Sequence, residues 1–262
     1  MPTPSSTHLV VIPSYNTGGR RLLQTVTDAL ECWAPVWVVI DGSDDGSEGS
    51  LSALREKVDS TRLRVIQREK NGGKGAAVFT ALRDAREEGF THFLAMDADG
   101  QHPAGKIHEF METSRAQPDA MILGEPVFDA SAPAIRLKGR RISNGWVNLE
   151  TLWGGIHDSL FGFRVYPVGM TFRLMRSHRW MRRFDFDPEI VVRLFWKGFR
   201  PVNLPVPAVY LTAEMGGVSH FNYIRDNVIL TWMHTRLVLL GWLPRLPRLL
   251  WRKFFSKHPP NS

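Results

Sequence analysis

The sequence of 262 residues predicts an α/β fold in which helices cover both faces of one mostly parallel sheet. Three observations support this prediction. Short apolar runs rich in β-branched residues recur in the first half of the chain, stretches of helical periodicity separate them, and 43% of the residues are hydrophobic, enough to bury a large core. Strands that alternate with helices form parallel sheets, whose two faces both need cover.

Five apolar runs are predicted strands, at residues 9–13, 36–40, 64–66, 92–96 and 120–123. Helical periodicity between the first four predicts crossover helices at 21–33, 51–58 and 76–89. From about residue 134 the alternation gives way to helices and loops. The proline-rich segment at 199–210 predicts a late extended element at a sheet edge, since proline cannot donate to a strand ladder.

The C-terminal segment differs from the rest of the chain in charge. No acidic residue follows Asp226, whereas six basic ones do: Arg236, Arg245, Arg248, Arg252, Lys253 and Lys257. The net charge of +7 therefore belongs mainly to this segment. Trp, Leu and Phe alternate with the cations, and His234 and Arg236 interrupt the apolar run before it reaches the length of about 20 residues that spans a bilayer.

We therefore predict a globular domain at 1–226 and an amphipathic basic and aromatic tail at 227–262 that lies on an anionic membrane surface. An ordinary C-terminal helix packed on the core is the alternative. No nucleic-acid-binding motif accompanies the charge, so no nucleic-acid partner is predicted. The single Cys32 and an N-terminus without a signal-peptide pattern predict a cytoplasmic protein, peripherally associated with the inner face of the cytoplasmic membrane.

Polar clusters follow each of the first four predicted strands. They are PSYN at 13–16, DGSDDGS at 41–47, NGGKGAA at 71–77 and DADGQHP at 97–103. Ligands of open parallel sheets bind beyond the carboxyl ends of the strands. The four clusters are therefore expected to converge on one crevice.

Asp97 and Asp99 are the strongest metal-binding candidates in these clusters. In extended backbone, side chains two residues apart share a face with Cα atoms about 7 Å apart. Two carboxylates in that arrangement suit Mg²⁺ or Mn²⁺, which would leave positions for a substrate diphosphate. Gln101 and His102 could complete or orient the site. The spacing does not fit an EF-hand loop, because positions 102 and 108 are both histidine.

The four clusters in this order resemble family 2 glycosyltransferases of the GT-A (Rossmann-like) fold, especially the dolichyl-phosphate mannose and glucose synthase branch. The segment IHDSLFGFRVYP at 156–167 is similar to the D-x-x-x-GFR segment of that branch, and 184–207 to its acidic helix and following strand. The resemblance spans roughly residues 8–225. It implies an inverting transfer of a sugar from a nucleoside-diphosphate sugar to a membrane lipid acceptor, either a polyprenyl phosphate or a lipid hydroxyl.

The resemblance also implies roles for individual residues. The substrate-binding residues would be Pro13, Tyr15, Asp41, Lys74 and Asp97, with Asp41 contacting the base of the nucleotide. Asp97, Asp99 and Gln101 would hold the metal, and Arg164 would face the acceptor or the donor phosphates. A hydroxyl acceptor needs a general base, for which Asp187 and Glu189 are the candidates; their alternative role is to place charge at a helix N-terminus.

Two departures from the family pattern concern recognition. Ile40 stands where many members have the first of two acidic residues. The segment GGVSHF at 216–221 lacks the lysine of the G-x-S-Lys pattern, and His220 could serve the acceptor there as a cation or a base. Arg136, Arg140 and Arg141 could receive an anionic headgroup or form a solvated helix face. The alternative functions are a sugar-1-phosphate nucleotidyltransferase and a non-catalytic nucleotide- or membrane-binding protein.

Overall fold

The computed structural model describes residues 2–128, 134–208 and 223–255. These residues form a seven-stranded sheet in the order β3-β2-β1-β4-β6-β5-β7. The strands are β1 His8–Ser14, β2 Val36–Asp41, β3 Leu63–Arg68, β4 His92–Ala95, β5 Ala120–Phe128, β6 Arg164–Pro167 and β7 Arg200–Ala208. Strands β1 to β4 are mutually parallel, so the predicted α/β fold class is confirmed.

Helices connect the strands and follow them. They are α1 Gly19–Cys32, α2 Ser47–Ser50, α3 Ser52–Lys57, α4 Lys74–Glu87, α5 Ile107–Ala116, α6 Ala134–Thr151, α7 Val168–Ser177, α8 Phe186–Lys197, α9 Tyr223–Arg236 and α10 Leu243–Phe255. A short 3-10 turn at Ala104–Lys106 precedes α5, and a π-helical stretch at Leu237–Trp242 joins α9 to α10.

Two hydrophobic cores lie on opposite faces of the sheet. Alternate residues of β1 point to each: Leu9 and Val11 pack with α4, α7 and α8, whereas Val10 and Ile12 pack with α1 and α5. This alternation is the two-residue period of an extended strand. Because both faces are buried, the predicted strands are continuous apolar runs rather than alternating ones.

Strand β6 is absent from the sequence prediction. It has four residues and begins with Arg164, so no apolar run marks it. It lies between β4 and β5 and is antiparallel to both. The late extended segment, in contrast, forms β7 at the edge of the sheet. An edge strand tolerates prolines because it pairs with only one neighbour and proline has no backbone N–H to donate.

The C-terminal segment packs on the sheet domain. Met233, Leu237 and Leu249 join the core beside α4, α7 and α8, and a Cβ on Gly241 would collide with the ring of Trp196. In the described part of the chain, no helix is long and apolar enough to cross a membrane. The division at residue 226 and the membrane-surface role of 227–262 stay predictions.

Candidate active site

Asp41, at the end of β2, anchors the glycine-rich loop that follows β3. Its carboxylate oxygens accept the backbone N–H groups of Gly72 and Gly73 at 2.7 to 3.1 Å, and Arg68 Nε donates to Oδ1 at 2.6 Å. A carboxylate offers about four acceptor positions, and these contacts use them. The resemblance implies that Asp41 contacts a nucleotide base; in the structure its contacts lie within the protein and shape the loop.

The segment after β1 is tied to the segment after β2. The side-chain amide of Asn16 donates to the Asp44 carboxylate at 2.7 Å, and its oxygen accepts the backbone N–H of Asp44 at 3.0 Å. Pro13 is buried at the end of β1, whereas Tyr15 is half-buried. Of the two residues predicted to line a nucleotide pocket, Tyr15 is therefore the one with an accessible side chain.

The loop after β4 carries Asp97 and Asp99 and is held by α1. Thr25 Oγ1 donates to the carbonyl of Ala98 at 3.2 Å, and Arg21 Nη1 donates to the carbonyl of Asp99 at 2.9 Å. The structure therefore places both carboxylates beyond the carboxyl end of β4, beside the other three clusters. Their backbone is fixed from one side while the side chains remain half-buried.

Lys74, the first residue of α4, bridges two carboxylates from distant parts of the chain. Its Nζ lies 2.7 Å from Asp97 Oδ1 and 2.7 Å from Asp187 Oδ2. Burial would lower the pKa of Lys74, but the charges of Asp187 and Asp97 outweigh it and the pKa is raised. Burial would likewise raise the pKa of Asp97, but the charge of Lys74 opposes burial and the pKa is lowered. The lysine and Asp97 are therefore both charged at neutral pH.

Gly162, in the segment that precedes β6, lies directly against this ion pair. A Cβ at this position would lie 2.7 Å from Asp97 Oδ2 and closer still to Lys74 Nζ. A larger residue at position 162 would therefore require the Lys74 and Asp97 side chains to move. The FGFR segment thus contributes a backbone surface to the site as well as the arginine that follows.

Arg164 is fully buried and supports the site without reaching its surface. Its Nη1 donates to the Asp187 carbonyl at 2.9 Å and to the Tyr166 hydroxyl at 3.0 Å, and its Nη2 donates to the Asp158 carbonyl at 3.1 Å. Arg140 Nη1 holds the Asp158 carboxylate at 2.6 Å. In this arrangement Arg164 fixes the start of α8 relative to β6, rather than facing acceptor or donor directly.

His102 orients Asp97. Its Nδ1 accepts the backbone N–H of Asp97 at 2.9 Å, and its Nε2 lies 3.7 Å from Asp97 Oδ2. Burial beside the rings of Phe161 and Phe163 lowers the pKa of His102 to about 4. The imidazole is therefore neutral at neutral pH, with its proton on Nε2 toward the carboxylate.

The two carboxylates predicted as bases have different surroundings. Asp187 binds Lys74 through Oδ2, while its buried Oδ1 has no hydrogen-bond partner among the described residues. Burial raises the pKa of Asp187, although Lys74 opposes this. Glu189 is fully buried, bound through both oxygens to Arg236 at 2.7 and 2.9 Å and to Arg193 at 2.6 Å. Of the two, Asp187 alone belongs to the cluster at the strand ends.

The surroundings of Asp97 and Asp99 suit a hard divalent cation. Burial and the neighbouring Asp97 carboxylate raise the pKa of Asp99 to about 6, because the pair concentrates negative charge. Across residues 2–128, 134–208 and 223–255, no three His, Cys, Asp or Glu side chains form a metal cage. Mg²⁺ commonly takes one or two carboxylates and completes its shell with water and substrate phosphate oxygens, so the donor set fits. Gln101, the predicted further ligand, donates its backbone N–H to Asp99 Oδ1 at 3.0 Å.

The remaining residues that the sequence suggested for the acceptor side differ in their surroundings. Arg140 pairs with Asp158 and is not a free receptor for a headgroup, whereas Arg141 is exposed on α6. His220 and the side chain of Arg136 lie outside the described residues. Sequence reasoning missed Arg21 and Arg68, whose partners are far away in the chain. One feature of the sequence could have indicated Arg68. It stands near the end of an apolar predicted strand, and a charged side chain at a partly buried strand end needs a partner of opposite charge.

A comparison with protein-family models decides the family. The model described as glycosyl transferase family 2 matches residues 9–186, which contain the loops after β1 to β4 and the FGFR segment. The chain belongs to glycosyl transferase family 2. It is therefore a glycosyltransferase, and the alternatives of a nucleotidyltransferase and a non-catalytic binding protein are set aside.

The names of two similar proteins refer to polyprenol monophosphomannose and to dolichyl phosphate. The chain is 27% identical to polyprenol monophosphomannose synthase of Mycolicibacterium smegmatis, over 81% of its own length and 80% of that protein. It is also 27% identical to dolichyl-phosphate beta-glucosyltransferase of Saccharomyces cerevisiae, over 75% of its length and 65% of that protein. The chain thus spans less than two thirds of the yeast relative.

Solved structures confirm the GT-A-like fold. Glucosyl-3-phosphoglycerate synthase from Mycobacterium tuberculosis, crystallised with Mn²⁺ and UDP-glucose, superposes with a TM-score of 0.59 at 17% identity, covering 91% of this chain and 78% of that one. The similarity at this identity concerns the architecture.

Proposed function

We propose that this glycosyltransferase moves a hexosyl unit from a nucleoside-diphosphate sugar to a membrane lipid, with inversion at the anomeric carbon and with Mg²⁺ or Mn²⁺ as cofactor. The observation that carries the proposal is the Lys74 bridge between Asp97 and Asp187. Lys74 connects Asp97, in the loop that we propose for the donor side, with Asp187 from the C-terminal half of the chain. A transfer reaction needs donor and acceptor groups held side by side.

On the donor side, Tyr15 would contact the nucleotide, and Asp41 would act by shaping the loop at Gly72 and Gly73. Asp97 and Asp99, with Gln101, would hold the divalent cation, which would offset charge on the leaving diphosphate when bound. Lys74 adds a fixed positive charge next to the same carboxylates. His102 and the α1 contacts keep Asp97 in place while the donor binds.

On the acceptor side, Asp187 is the proposed group that faces the nucleophile. Its buried Oδ1 has no hydrogen-bond partner among the described residues, which leaves a lone pair for the proton of a lipid hydroxyl. A lipid phosphate would need no base, because its second pKa is about 6 and it is already anionic at pH 7. Arg164 is proposed as a positioning residue, since it holds the Asp187 backbone.

The names of the relatives support a lipid acceptor, and the exposed apolar side chains of the C-terminal helices support a membrane location. Leu250, Trp251 and Phe254 of α10 are exposed beside Arg248 and Lys253. We propose that α10 lies in the headgroup layer of the inner face of the cytoplasmic membrane. The protein would thus be cytoplasmic and peripherally bound.

The proposal is tested by incubating the protein with UDP- and GDP-sugars, Mg²⁺ or Mn²⁺, and a bacterial-type lipid extract. The expected result is release of nucleoside diphosphate from one donor and a labelled glycolipid, both abolished by EDTA. Heat-treated protein and extract without lipid are the controls. Release that is insensitive to EDTA would contradict the metal dependence, and a labelled water-soluble product would contradict the lipid acceptor.

The Asp187→Asn variant then separates the two kinds of acceptor. Loss of a general base is expected to slow transfer to a hydroxyl by about 10²- to 10⁴-fold. Transfer to a phosphate is expected to persist within about tenfold, because no proton needs to be removed. Asp119→Asn, a change of an exposed carboxylate, is the matched control. Unchanged transfer to a proven hydroxyl acceptor would exclude Asp187 as the base.

A further inference from the structure

We infer that the second half of α7 and the segment between α7 and α8, with the outer face of α9, dock on an anionic membrane surface next to the donor loop. This arginine–tryptophan patch consists of Arg173, Arg176, Arg179, Trp180 and Trp232. It is distinct from α10 and from the metal site. The inference rests on the membrane-lipid part of the proposed function, because docking there has a purpose only if the acceptor is a lipid.

The patch is rich in cations without anionic partners. Residues 173–183 read RLMRSHRWMRR and contain no acidic side chain. Arg173, Arg176 and Arg179 are exposed, and in the described part of the chain no hydrogen bond or ion pair engages their side chains. Arg173 and Arg176 are three residues apart on α7, hence on one side of it. Adjacent like charges repel, so this surface favours an anionic ligand.

The arginines surround a concave surface. Arg173 and Arg176 line a cavity of about 340 Å³ together with Arg86, which comes from the last turn of α4. Phe172 and Gly169 form the rest of the lining. The planar guanidinium group matches phosphate oxygens in a bidentate manner. A phosphate headgroup is therefore the chemical group that the three guanidinium groups of this cavity would bind.

Exposed aromatic rings favour a lipid surface over an acidic protein. Trp180 is 42% exposed and Trp232 is 53% exposed, and their rings meet edge to face at 6.5 Å between centroids. Arg236 lies buried beneath Trp180, 4.5 Å from the ring centroid. Tryptophan is enriched at membrane interfaces, where one part of the ring contacts acyl chains and the indole N–H faces water. Arginines beside such rings match an anionic headgroup layer.

The patch is attached rigidly to the donor loop. The carbonyl of Arg182 accepts the backbone N–H of Ala76 at 3.0 Å, and the carbonyl of Met181 lies so close to Gly75 that no Cβ would fit there. The Asp185 carboxylate accepts the backbone N–H groups of Met181 and Arg183, both at 2.9 Å. The Trp180 end of the patch therefore lies near the start of α4, where Lys74 meets Asp97, whereas the cavity of Arg173 and Arg176 lies beside Arg86 at the opposite end of α4.

The test is co-sedimentation of the full chain with vesicles of phosphatidylcholine alone or with 30% phosphatidylglycerol, a composition chosen as roughly that of an anionic leaflet. The test variant is Arg176→Gln with Arg179→Gln. Each arginine near an anionic surface changes partitioning by about fivefold, so the pair is expected to weaken binding by about 25-fold. The matched control, Arg55→Gln with Lys57→Gln, removes the same charge from exposed positions of α3.

Selective loss in the test variant, with the control unchanged, supports the patch. Equal binding of the test variant and the unmodified protein overturns it, as does an equal loss in the control, which would show a net-charge effect alone. Unfolding temperature and nucleoside-diphosphate binding with Mn²⁺ are measured on the same samples and are expected not to change. Because vesicle binding requires no turnover, failure of the patch and failure of the proposed transfer reaction give different results.

Discussion

The region before residue 127 and the region after residue 134 differ in how many large apolar side chains they expose. Among the described residues, no large hydrophobic side chain before Val127 is exposed. After residue 134 the exposed ones are Ile142, Trp146, Trp153, Trp180, Val228, Trp232, Leu239, Leu240, Leu243, Leu250, Trp251 and Phe254. The membrane-facing surface that we propose draws on these exposed apolar groups, all of which belong to the second region.

The difference corresponds to two tasks. The first region supplies the strand-end loops and both carboxylates of the proposed metal site. The second region supplies Asp187 and Gly162 to the same site while presenting aromatic and basic side chains outward. Under the proposed function, the active site lies where the polar first region meets a second region that is proposed to face the membrane.

The metal site of the first region is expected to show the largest effect. Asp99→Asn removes one of the two anionic ligands that we propose for the metal, so transfer should fall by at least about 10³-fold, whereas the fold should persist because the side chain is half-buried. Steady-state product formation and circular dichroism measure the two quantities. Asp119→Asn is the control. A folded Asp99→Asn enzyme with near-normal turnover would contradict a metal site at Asp97 and Asp99.

The second region is expected to be part of the fold and not an appendage. Arg236→Gln leaves the fully buried Glu189 with one cationic partner, so the free energy of unfolding should fall by about 3 kcal/mol. Urea denaturation measures it. Arg248→Gln, at an exposed position of α10, should change stability by less than about 0.5 kcal/mol. Equal stability of both variants would instead support a separable tail beyond residue 226.

The junction itself is tested at Gly162. Gly162→Ala places a Cβ against Asp97 Oδ2 and Lys74 Nζ, so the pair must move, and kcat/KM should fall by about 10²-fold. Gly139→Ala is the control, because no atom lies within 4 Å of a Cβ built there. An active Gly162→Ala enzyme would mean that the close Lys74–Asp97 contact is dispensable for transfer.

The stacked pair of His8 and His92 in the first region should make the free energy of unfolding depend on pH, with a smaller effect than the changes above. His8 stacks on His92 at 4.8 Å, and burial, followed by the charges of His92 and Arg115, lowers the pKa of His8 to about 4. The unfolded chain takes up a proton near pH 6.5 and the folded chain does not, so stability is complete above 6.5 and falls toward pH 4. His8→Gln should reduce that fall by about 2 kcal/mol.

Thermal unfolding at pH 7.5, 6, 5 and 4 measures this dependence. The exposed His108→Gln variant should keep the profile of the unmodified protein. A His8→Gln profile identical to the unmodified one would show that other groups carry the acid sensitivity.

The interfacial character of the second region is expected to give the smallest single effect. Phe254→Ala removes an aromatic group that is 68% exposed, and partition onto anionic vesicles should weaken by about fivefold. Val127→Ala, the exposed apolar residue nearest the first region, should leave partition unchanged. If both variants bind equally well, exposure alone does not distinguish the two regions.

Much of the site could be predicted from the sequence because it lies in local patterns. Asp97 and Asp99 follow a buried strand, and the parallel sheet brings the ends of its strands together whatever the details of packing. The edge position of β7 follows from its prolines. The fold class and the family resemblance, both confirmed, rest on features of this kind.

The partners of individual side chains could not be predicted in this way. Asp187 and Glu189 are two residues apart and both acidic, yet one contacts Lys74 and the other is held by Arg236. Asp41 was expected to face a ligand, but its contacts lie within the protein. Each outcome depends on which helix packs against which, and no local pattern encodes that.

By itself the sequence determined the alternation of strands and helices, the polar strand ends and the excess of positive charge at the C-terminus, since these follow from periodicity and composition. The tertiary structure decided that β6 inserts antiparallel between β4 and β5 and brings Gly162 against Lys74. It also decided that α9 covers Glu189 while Trp180 and Trp232 meet at the surface. The physical reason is that a buried charge or a close backbone contact is satisfied by residues distant in the chain, which only packing brings together.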